Sequence, residues 1–254
     1  EVRIRSNIST AYRPPHVSEL YSEGLHHGSA TVERGDPALQ NERSLKAVLD
    51  LEAKVMNKRL MLALTGYHDR ISDYIYLRPS GQVLTIRGAF PMFDHTATDG
   101  ILNGVDAMIE FALIGNWHIR SRASGVRGED TRAGGPLYMM PSDRIENALI
   151  FRQKEFRKWK DIEVELNSLR VFQQRRYVEG VDLLAPPAGY HLLGFSIGVS
   201  RPVGKNELRF GLSGTNLLNV PYRDILDRFR YFADARGADV TIWVRYAFAR
   251  GNKE

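Results

Sequence analysis

The chain has 254 residues, of which 43% are hydrophobic and 26% charged, a balance that excludes a disordered chain and a helical membrane bundle. It contains no cysteine, which excludes a disulfide scaffold, a thiolate zinc site and a cysteine nucleophile. The 35 basic and 30 acidic residues give a net charge of +5, too small a value to indicate nucleic-acid binding. There is no apolar run of about 18 residues, so we expect no membrane-spanning helix. The chain as given carries no secretory signal, which was either never present or already removed.

The most informative pattern is an alternation of apolar and polar residues that recurs along the chain. In the first segment Val2, Ile4 and Ile8 share one face, while Arg3 and Arg5 lie on the other. Such a period of two predicts β-strands that have one apolar and one polar face. About ten strands are predicted, at residues 2–12, 45–55, 59–76, 105–113, 117–123, 144–152, 162–166, 193–199, 208–212 and 240–248.

The connections between these strands alternate between short and long, which predicts an antiparallel sheet with all its long loops at one end. Strands of about ten residues can cross a bilayer at a tilt of about 45°. The apolar faces carry no charge, as lipid requires, because Lys or Arg facing mid-bilayer costs about 2–4 kcal/mol. The pattern therefore favours a transmembrane barrel wall over a soluble β-sandwich. The long loops are predicted at residues 14–42, 79–100, 128–141, 176–189 and 217–239.

Aromatic residues lie near the ends of several predicted strands. In a membrane barrel such residues form girdles at the two interfaces between lipid and water. The alternative is that these side chains occupy ordinary packed positions. The candidate girdle residues are Tyr12, Tyr67, Trp117, Tyr190, Tyr246 and Phe248.

Several segments resemble, in the right order, the motifs of one protein family. Residues 13–24 read RPPHVSELYSEG, residues 35–44 read GDPALQNERS, and residues 216–223 read NLLNVPYR. They resemble segments of TonB-dependent outer-membrane receptors. In that family a rising strand ends in Arg-Pro followed by Glu-Leu, a second segment marks the return of a long loop, and Asn-Leu-x-Asn-x-x-Tyr precedes the last loop. Residues 66–75 and 136–144 are similar to further family segments. The resemblance extends over nearly the whole chain.

The resemblance implies an all-β fold, an antiparallel transmembrane β-barrel wall of about ten strands that belongs to a larger barrel of about 22 strands. Residues 1–254 would form the C-terminal portion of that barrel, with the plug domain and the first barrel strands absent. Phe248 is similar to the aromatic residue that ends family barrels, although residues 249–254 follow it. The two open edges of such a sheet would need partners.

The function implied by the resemblance is TonB-energised uptake of a scarce nutrient through the outer membrane of a Gram-negative cell. The cargo would be zinc or another metal, haem or a ferric siderophore, and no cofactor is expected. The implied partners are outer-membrane lipid, lipopolysaccharide, and the TonB complex, reached through the missing plug. The chain has no serine-nucleophile elbow, zinc-protease motif or phosphate loop, so no enzyme is predicted.

Candidate ligand-binding residues lie in the long loops. His26 and His27 adjoin Glu23, and neutral imidazole with carboxylate suits zinc, so both histidines are candidate metal ligands although adjacent histidines do not easily face one ion. Residues 19–28 and 94–99, which include His95, resemble the zinc- or haem-uptake branch of the family. Arg223 and Arg228 lie in the charged final loop, which is either a ligand rim or a solvated loop with salt bridges.

Other charged residues have simpler interpretations. Arginines on the polar strand faces, including Arg120 and Arg170, are expected to pair with carboxylates inside the barrel. Arg175 and Arg176 belong either to a rim that meets lipopolysaccharide or to an ordinary charged loop. Two other classes remain open at this point, namely a non-transporting outer-membrane barrel or adhesin-like structural wall protein, and a soluble β-sandwich binding module.

Overall fold

A computed structural model describes residues 1–248, which form one sheet whose main path runs β1-β4-β5-β6-β7-β8-β9-β10-β11-β12. All neighbours on this path pair in antiparallel fashion, and β2 and β3 form a small hairpin within the first long loop. The prediction of about ten wall strands is confirmed. The elements are β1 (Val2–Arg13), α1 (Val17–Tyr21), β2 (Glu23–His26), β3 (Thr31–Arg34), β4 (Glu42–Val55), β5 (Leu60–Thr85), β6 (Gly88–Ala112), β7 (Trp117–Asp130), β8 (Arg144–Phe156), β9 (Trp159–Val171), β10 (Tyr190–Val203), β11 (Asn206–Thr215), the 3₁₀ helix η1 (Arg228–Tyr231) and β12 (Asp239–Ala247).

The short turns at residues 56–59, 113–116, 157–158 and 204–205 lie at one end of the sheet, here called the turn end, and the long connections lie at the other, here called the loop end. Among residues 1–248 the two edge strands of the sheet do not pair with each other, because β1 pairs with β4 and β12 pairs with β11. Within residues 1–248, no helix is long and apolar enough to cross a membrane. The sequence prediction about residues 249–254 lies outside the described residues.

The prediction of a long loop at residues 79–100 is wrong, because β5 and β6 continue through this region as a hairpin that turns at residues 86–87. Pro79 and Gly81 hide the alternation, since the register shifts between them as in a β-bulge. The neighbouring strands end earlier. The last β5 residue that pairs with β4 is Ser72, and the last β6 residue that pairs with β7 is Gly100. The part of the hairpin beyond these two residues, here called the extended hairpin, therefore projects past the wall.

One face of the wall is apolar and exposed, and we call it the outer face. Leu51 lies opposite Ile4 on β1 and opposite Leu64 on β5, so the register aligns apolar residues across strands. Leu49 is 54% exposed and Ile109 is 51% exposed. These residues are not packed against a second layer of the described chain, which is the opposite of what a soluble β-sandwich requires. The exposed apolar face fits contact with lipid.

The opposite face, the inner face, carries charges that neutralise one another. Arg120 donates to both oxygens of Glu165 at 2.8 Å, and the two side chains are each 11% exposed. Arg152 bonds to Glu110 and to Glu163. The interpretation that these arginines pair with carboxylates is confirmed here. It is wrong for Arg170, which lies on the outer face opposite Ile145.

The aromatic girdle is found in part. Trp117 and Tyr246 are exposed on the outer face at the turn end, and Tyr12 is exposed at the loop end. Tyr67 and Tyr190 lie instead on the inner face, so their assignment to the girdle is wrong. Glycines make room for inward aromatic rings: a Cβ on Gly104 would lie 2.1 Å from the Tyr67 ring, across the strand pair. Successive residues of a strand point to opposite faces, so the position of an aromatic residue in this alternation, and not its nearness to a strand end, decides whether it lies on the outer or the inner face.

Candidate ligand site at the loop end

Arg13 fixes the start of the first long loop. Its guanidinium lies at the top of β1 and donates to both carboxylate oxygens of Glu19, at 2.9 and 3.0 Å, and to Glu42 at the start of β4. Glu19 also accepts from the backbone N–H of His16, 2.7 Å away, which completes a capping box on α1. The Arg-Pro and Glu-Leu parts of the motif at residues 13–24 thus have a physical role, because one arginine joins two strands and a helix.

Gly35 lets the loop return close to α1. Its N–H donates to the Ser22 carbonyl at 2.7 Å, and an added Cβ would lie 2.5 Å from the Leu20 carbonyl carbon. Because the obstacle is backbone, Gly35→Ala is expected to displace the loop at a cost of about 1–3 kcal/mol. Limited proteolysis within residues 14–42 should become faster. Gly66→Ala is the matched control, since nothing lies within 4 Å of its added Cβ, and equal protease resistance of both variants would contradict the prediction.

Three separate loop-end segments meet at Glu33. This residue lies on β3, which pairs in parallel with β6 of the extended hairpin and brings Glu33 beside Phe93. Arg228 of η1 donates from Nη1 to Glu33 Oε1 at 2.6 Å, and His95 Nε2 lies 3.8 Å from Glu33 Oε2. The Glu33 and His95 side chains are only 9% and 10% exposed. We call Glu33, His95 and Arg228 the loop hub.

His95 is held uncharged by its surroundings. Burial lowers the pKa of His95 below its ordinary value, and this effect outweighs the attraction of the Glu33 and Glu19 carboxylates. Among the described residues its Nε2 forms no hydrogen bond, because 3.8 Å to Glu33 is too long for one. The imidazole therefore remains neutral at pH 7, and the hub carries the single positive charge of Arg228 against the negative charge of Glu33.

His26 is linked to the hub through two hydroxyl groups. Its Nδ1 lies 3.1 Å from Ser29 Oγ, and Ser29 Oγ lies 2.6 Å from Thr31 Oγ1. Thr31 in turn donates to Glu33 Oε1 at 3.4 Å. Thr31 is fully buried, so this chain of polar groups forms part of the packed base of the loop.

The other three candidates lie outside the hub. Glu23 and His27 are exposed on the β2–β3 hairpin. Arg223 donates to Asp234 and to the Arg230 carbonyl, both at 2.7 Å, and so ties the final loop to itself. In the part of the chain that the structure describes, no group of three or more His, Asp or Glu residues is placed to hold a metal ion. Metal binding at His26 and His27 stays a prediction.

A second cluster at the loop end was not singled out by sequence. Arg230 is 2% exposed and forms an ion pair with Asp182, which also accepts from the Tyr231 hydroxyl at 2.6 Å. The Tyr138 hydroxyl lies 3.1 Å from that of Tyr231, and burial raises the pKa of Tyr138 to about 12. The Tyr231 ring lies 6.0 Å from that of Phe93. This arrangement, here called the Arg230 cluster, joins three loops to the extended hairpin.

The loop end can therefore present side chains from distant segments on a fixed frame. The hub connects residues 195 positions apart, and the Arg230 cluster connects residues 48 apart. A surface built from ordered loops at one end of a sheet can bind a ligand without losing much chain entropy on binding. Of the six predicted residues, His95 and Arg228 both contact Glu33, and His26 is linked to Glu33 through two hydroxyl groups.

Comparison with known proteins places this architecture in a family. The family model described as TonB dependent receptor-like, beta-barrel, matches residues 1–217. No curated protein matches the chain.

Solved structures with the same fold include three transporters or receptors. The chain is similar to the copper transporter OprC, with a TM-score of 0.70 and 19% identity over 97% of this chain and 37% of that one. It is also similar to the siderophore receptor PirA from Acinetobacter baumannii, with a TM-score of 0.61 and 14% identity over 97% of this chain and 39% of that one. The ferric-catecholate import receptor Fiu from E. coli K12 gives a TM-score of 0.56 and 14% identity over 97% and 33%.

The chain thus spans between 33% and 39% of the length of these structures. At such identities the likeness shows the fold, and the family model covers most of the sequence. The chain belongs to the TonB-dependent receptor family, as part of its β-barrel.

Proposed function

We propose that this chain is the C-terminal portion of the barrel of an outer-membrane receptor that takes up a scarce nutrient by TonB-driven transport. The single observation that carries the proposal is the contrast between the two faces of the wall. The outer face exposes leucine, isoleucine and valine, and the inner face carries paired charges such as Arg120 and Glu165. A wall between lipid and a filled polar lumen requires this division.

In this proposal the loop end captures the nutrient and the barrel passes it inward. The hub and the Arg230 cluster hold the capturing loops in one arrangement, so binding costs little ordering entropy. No bond of the nutrient is broken, and the energy comes from the TonB complex acting on the plug domain of the full-length receptor. The cargo class is a metal ion, haem or a ferric siderophore. The copper transporter OprC and the siderophore receptor PirA, which have a similar fold, support that range.

Growth of a deletion strain complemented with the full-length gene tests the proposal. Separate cultures are limited for copper, zinc or iron, with haem and ferric siderophores as alternative iron sources. We expect the gene to restore growth in at least one condition, and only when TonB is present. A protein that reaches the cell surface but restores growth in none of them, or does so without TonB, would contradict transport and would favour a structural wall or adhesin role.

A further inference from the structure

A short row of polar side chains crosses the outer face of the wall near its centre. Ser121 of β7, Asn147 of β8 and Ser168 of β9 lie directly opposite one another on three adjacent strands. Ile109 of β6 and Leu193 of β10 continue the row, so an apolar residue bounds it on either side. We call the three polar residues the polar row. Such side chains are costly in this place, because lipid offers them no hydrogen-bond partner.

The polar row lies deep in the apolar band. On β7 the outward residues run from Trp117 at the turn end to Arg127 at the loop end. That interval corresponds to about 34 Å of strand, and to about 26 Å along the membrane normal at a tilt of about 40°. The apolar band of an outer-membrane barrel is about 25 Å tall, so it fits between these two residues. Ser121 lies about 10 Å from the level of Trp117, in the middle part of the band, where no water is available.

The amide of Asn147 differs from other outward amides of the wall. Asn103 Oδ1 lies 2.7 Å from His68 Nδ1, and Gln153 donates to the Glu155 carbonyl at 2.7 Å, so the chain itself satisfies both side chains. The side chain of Asn147 is exposed and forms no hydrogen bond with any other described residue. An amide has two donor hydrogens and an acceptor oxygen, and in hydrocarbon each of them is costly to leave unpaired. A partner from outside the chain therefore has to supply the matching groups.

The polar row lines a shallow depression in the outer face. The depression has a volume of about 490 Å³, and large apolar side chains form most of its remaining wall. Ile119, Leu149 and Leu166 lie opposite one another, two residues nearer the turn end than the polar row, and form an apolar ridge beside it. Leu149 is 40% exposed and Leu166 is 54% exposed. A polar floor beside an exposed apolar ridge offers another membrane-embedded surface both hydrogen bonds and packing.

The polar row is complementary to itself. Hydroxyl and amide groups both donate and accept hydrogen bonds, and the row carries no charge, so the same row on a second copy can pair with it. A two-fold axis along the membrane normal at Asn147 places the two Asn147 amides side by side, where they can form two equivalent hydrogen bonds. With a strand tilt of about 40°, the strands of the two copies cross at about 80°, which keeps the contact compact around this residue.

We infer that the polar row is the centre of an interface at which two copies of this receptor associate within the membrane. The inference rests on the proposed outer-membrane placement. Acyl chains cannot replace the second copy, because they carry neither donors nor acceptors. Between membrane-spanning helices, Ser and Asn side chains promote association by hydrogen bonding across the contact, and the same physical reason applies to two barrel walls. Asn147 forms the central contact, with Ser121 and Ser168 on either side of it.

The oligomeric state of the full-length protein in detergent, measured by analytical ultracentrifugation, tests the inference. We expect the wild type to form reversible dimers and Asn147→Leu to weaken dimerisation at least about fivefold. Leucine suits a lipid-facing position, so this variant should fold normally, which heat-dependent gel mobility checks. Asn103→Leu is the matched control, because it removes an outward amide whose partner, His68, lies in the same chain. Dimerisation of the control should equal that of the wild type.

Disulfide cross-linking in outer membranes provides a second measurement. The 254 residues contain no cysteine, so one introduced thiol in a full-length protein free of other cysteines reports on a single position. Asn147→Cys should form a covalent dimer when the membranes are treated with iodine, an oxidant that enters the bilayer. Leu49→Cys serves as the control, because Leu49 is an outward residue of β4, four strands away from β8, and should give no dimer.

The outcomes separate the possibilities. Cross-linking of Asn147→Cys to a second copy, together with weaker dimerisation of Asn147→Leu, supports the inference. A wild type that is monomeric at every concentration, equal dimerisation of Asn147→Leu and wild type, or equal cross-linking of Leu49→Cys overturns it. Cross-linking of Asn147→Cys solely to a different outer-membrane protein also overturns it. Nutrient-dependent growth is scored separately, so monomers that restore growth count against the interface alone, and dimers that restore none count against the proposed function alone.

Discussion

Leu49→Arg is expected to impair assembly of the full-length protein in the outer membrane severely. Leu49 lies in the middle of β4 on the outer face and is 54% exposed, and its neighbours across the sheet are Ser6 and Gly66. A lipid-facing arginine near the bilayer midplane costs about 2–4 kcal/mol. The amount of folded, heat-modifiable protein in outer-membrane fractions should fall accordingly.

Val48→Arg is the matched control for this experiment. The two residues are adjacent, but Val48 lies on the inner face between Lys46 and Asp50, opposite Tyr67. A charge facing the lumen does not enter lipid, so folded protein should stay near the wild-type amount. If both variants assemble normally, or if the Val48 variant is the one that fails, the outer face does not contact lipid and the barrel interpretation of the wall is wrong.

Asp182→Ala is expected to release the final loop from the rest of the loop end. Arg230 is 2% exposed, and its ion pair with Asp182 is the principal compensation for its buried charge. Removal of one partner of a buried ion pair typically costs about 3–5 kcal/mol, because the remaining charge is left uncompensated. The same change removes the acceptor for the Tyr231 hydroxyl. Hydrogen exchange should become faster in residues 176–189 and 217–239, while the wall strands stay protected.

Asp94→Ala provides the comparison. Asp94 accepts two hydrogen bonds from Arg34, at 2.8 and 2.9 Å, but Arg34 is 60% exposed. Water screens an exposed ion pair so strongly that it contributes little to stability, so loop exchange should change little. Equal acceleration in the two variants would mean that burial of Arg230 does not matter. If exchange accelerates in the wall as well, the loops and the wall unfold as one unit.

The wall was predictable from sequence because membrane and lumen impose opposite demands on successive residues. The alternation at Val2, Ile4 and Ile8 sufficed to place β1 and its faces. The same rule fails where a strand leaves the membrane, since neither face then has to be apolar. The extended hairpin around Pro79 and Gly81 is such a region, so its strands show no regular alternation of apolar and polar residues in the sequence.

The contacts of the loop end were less predictable than its residue types. His95 and Arg228 are predictable as candidates from their residue types, but the local sequence does not show that Glu33 joins them. The Glu33–Arg228 contact spans 195 residues, so only the folded sheet brings the two together. Arg230 carried no signal of burial in sequence, because its neighbours in the final loop are also charged. The prediction for Arg170 is wrong for a simpler reason, because a charged side chain does not by itself show which face of a strand it lies on.

The extended hairpin has a practical consequence. Beyond the last residues that pair with β4 and β7, its two strands supply most of each other's backbone hydrogen bonds, and β3 contacts only the segment around Phe93. The tip at Ile86 is fully exposed and lies far from the hub residues along the strand. A peptide tag inserted between Ile86 and Arg87 would consequently sit on a stalk above the bilayer, where antibodies on living cells could reach it without disturbing the barrel.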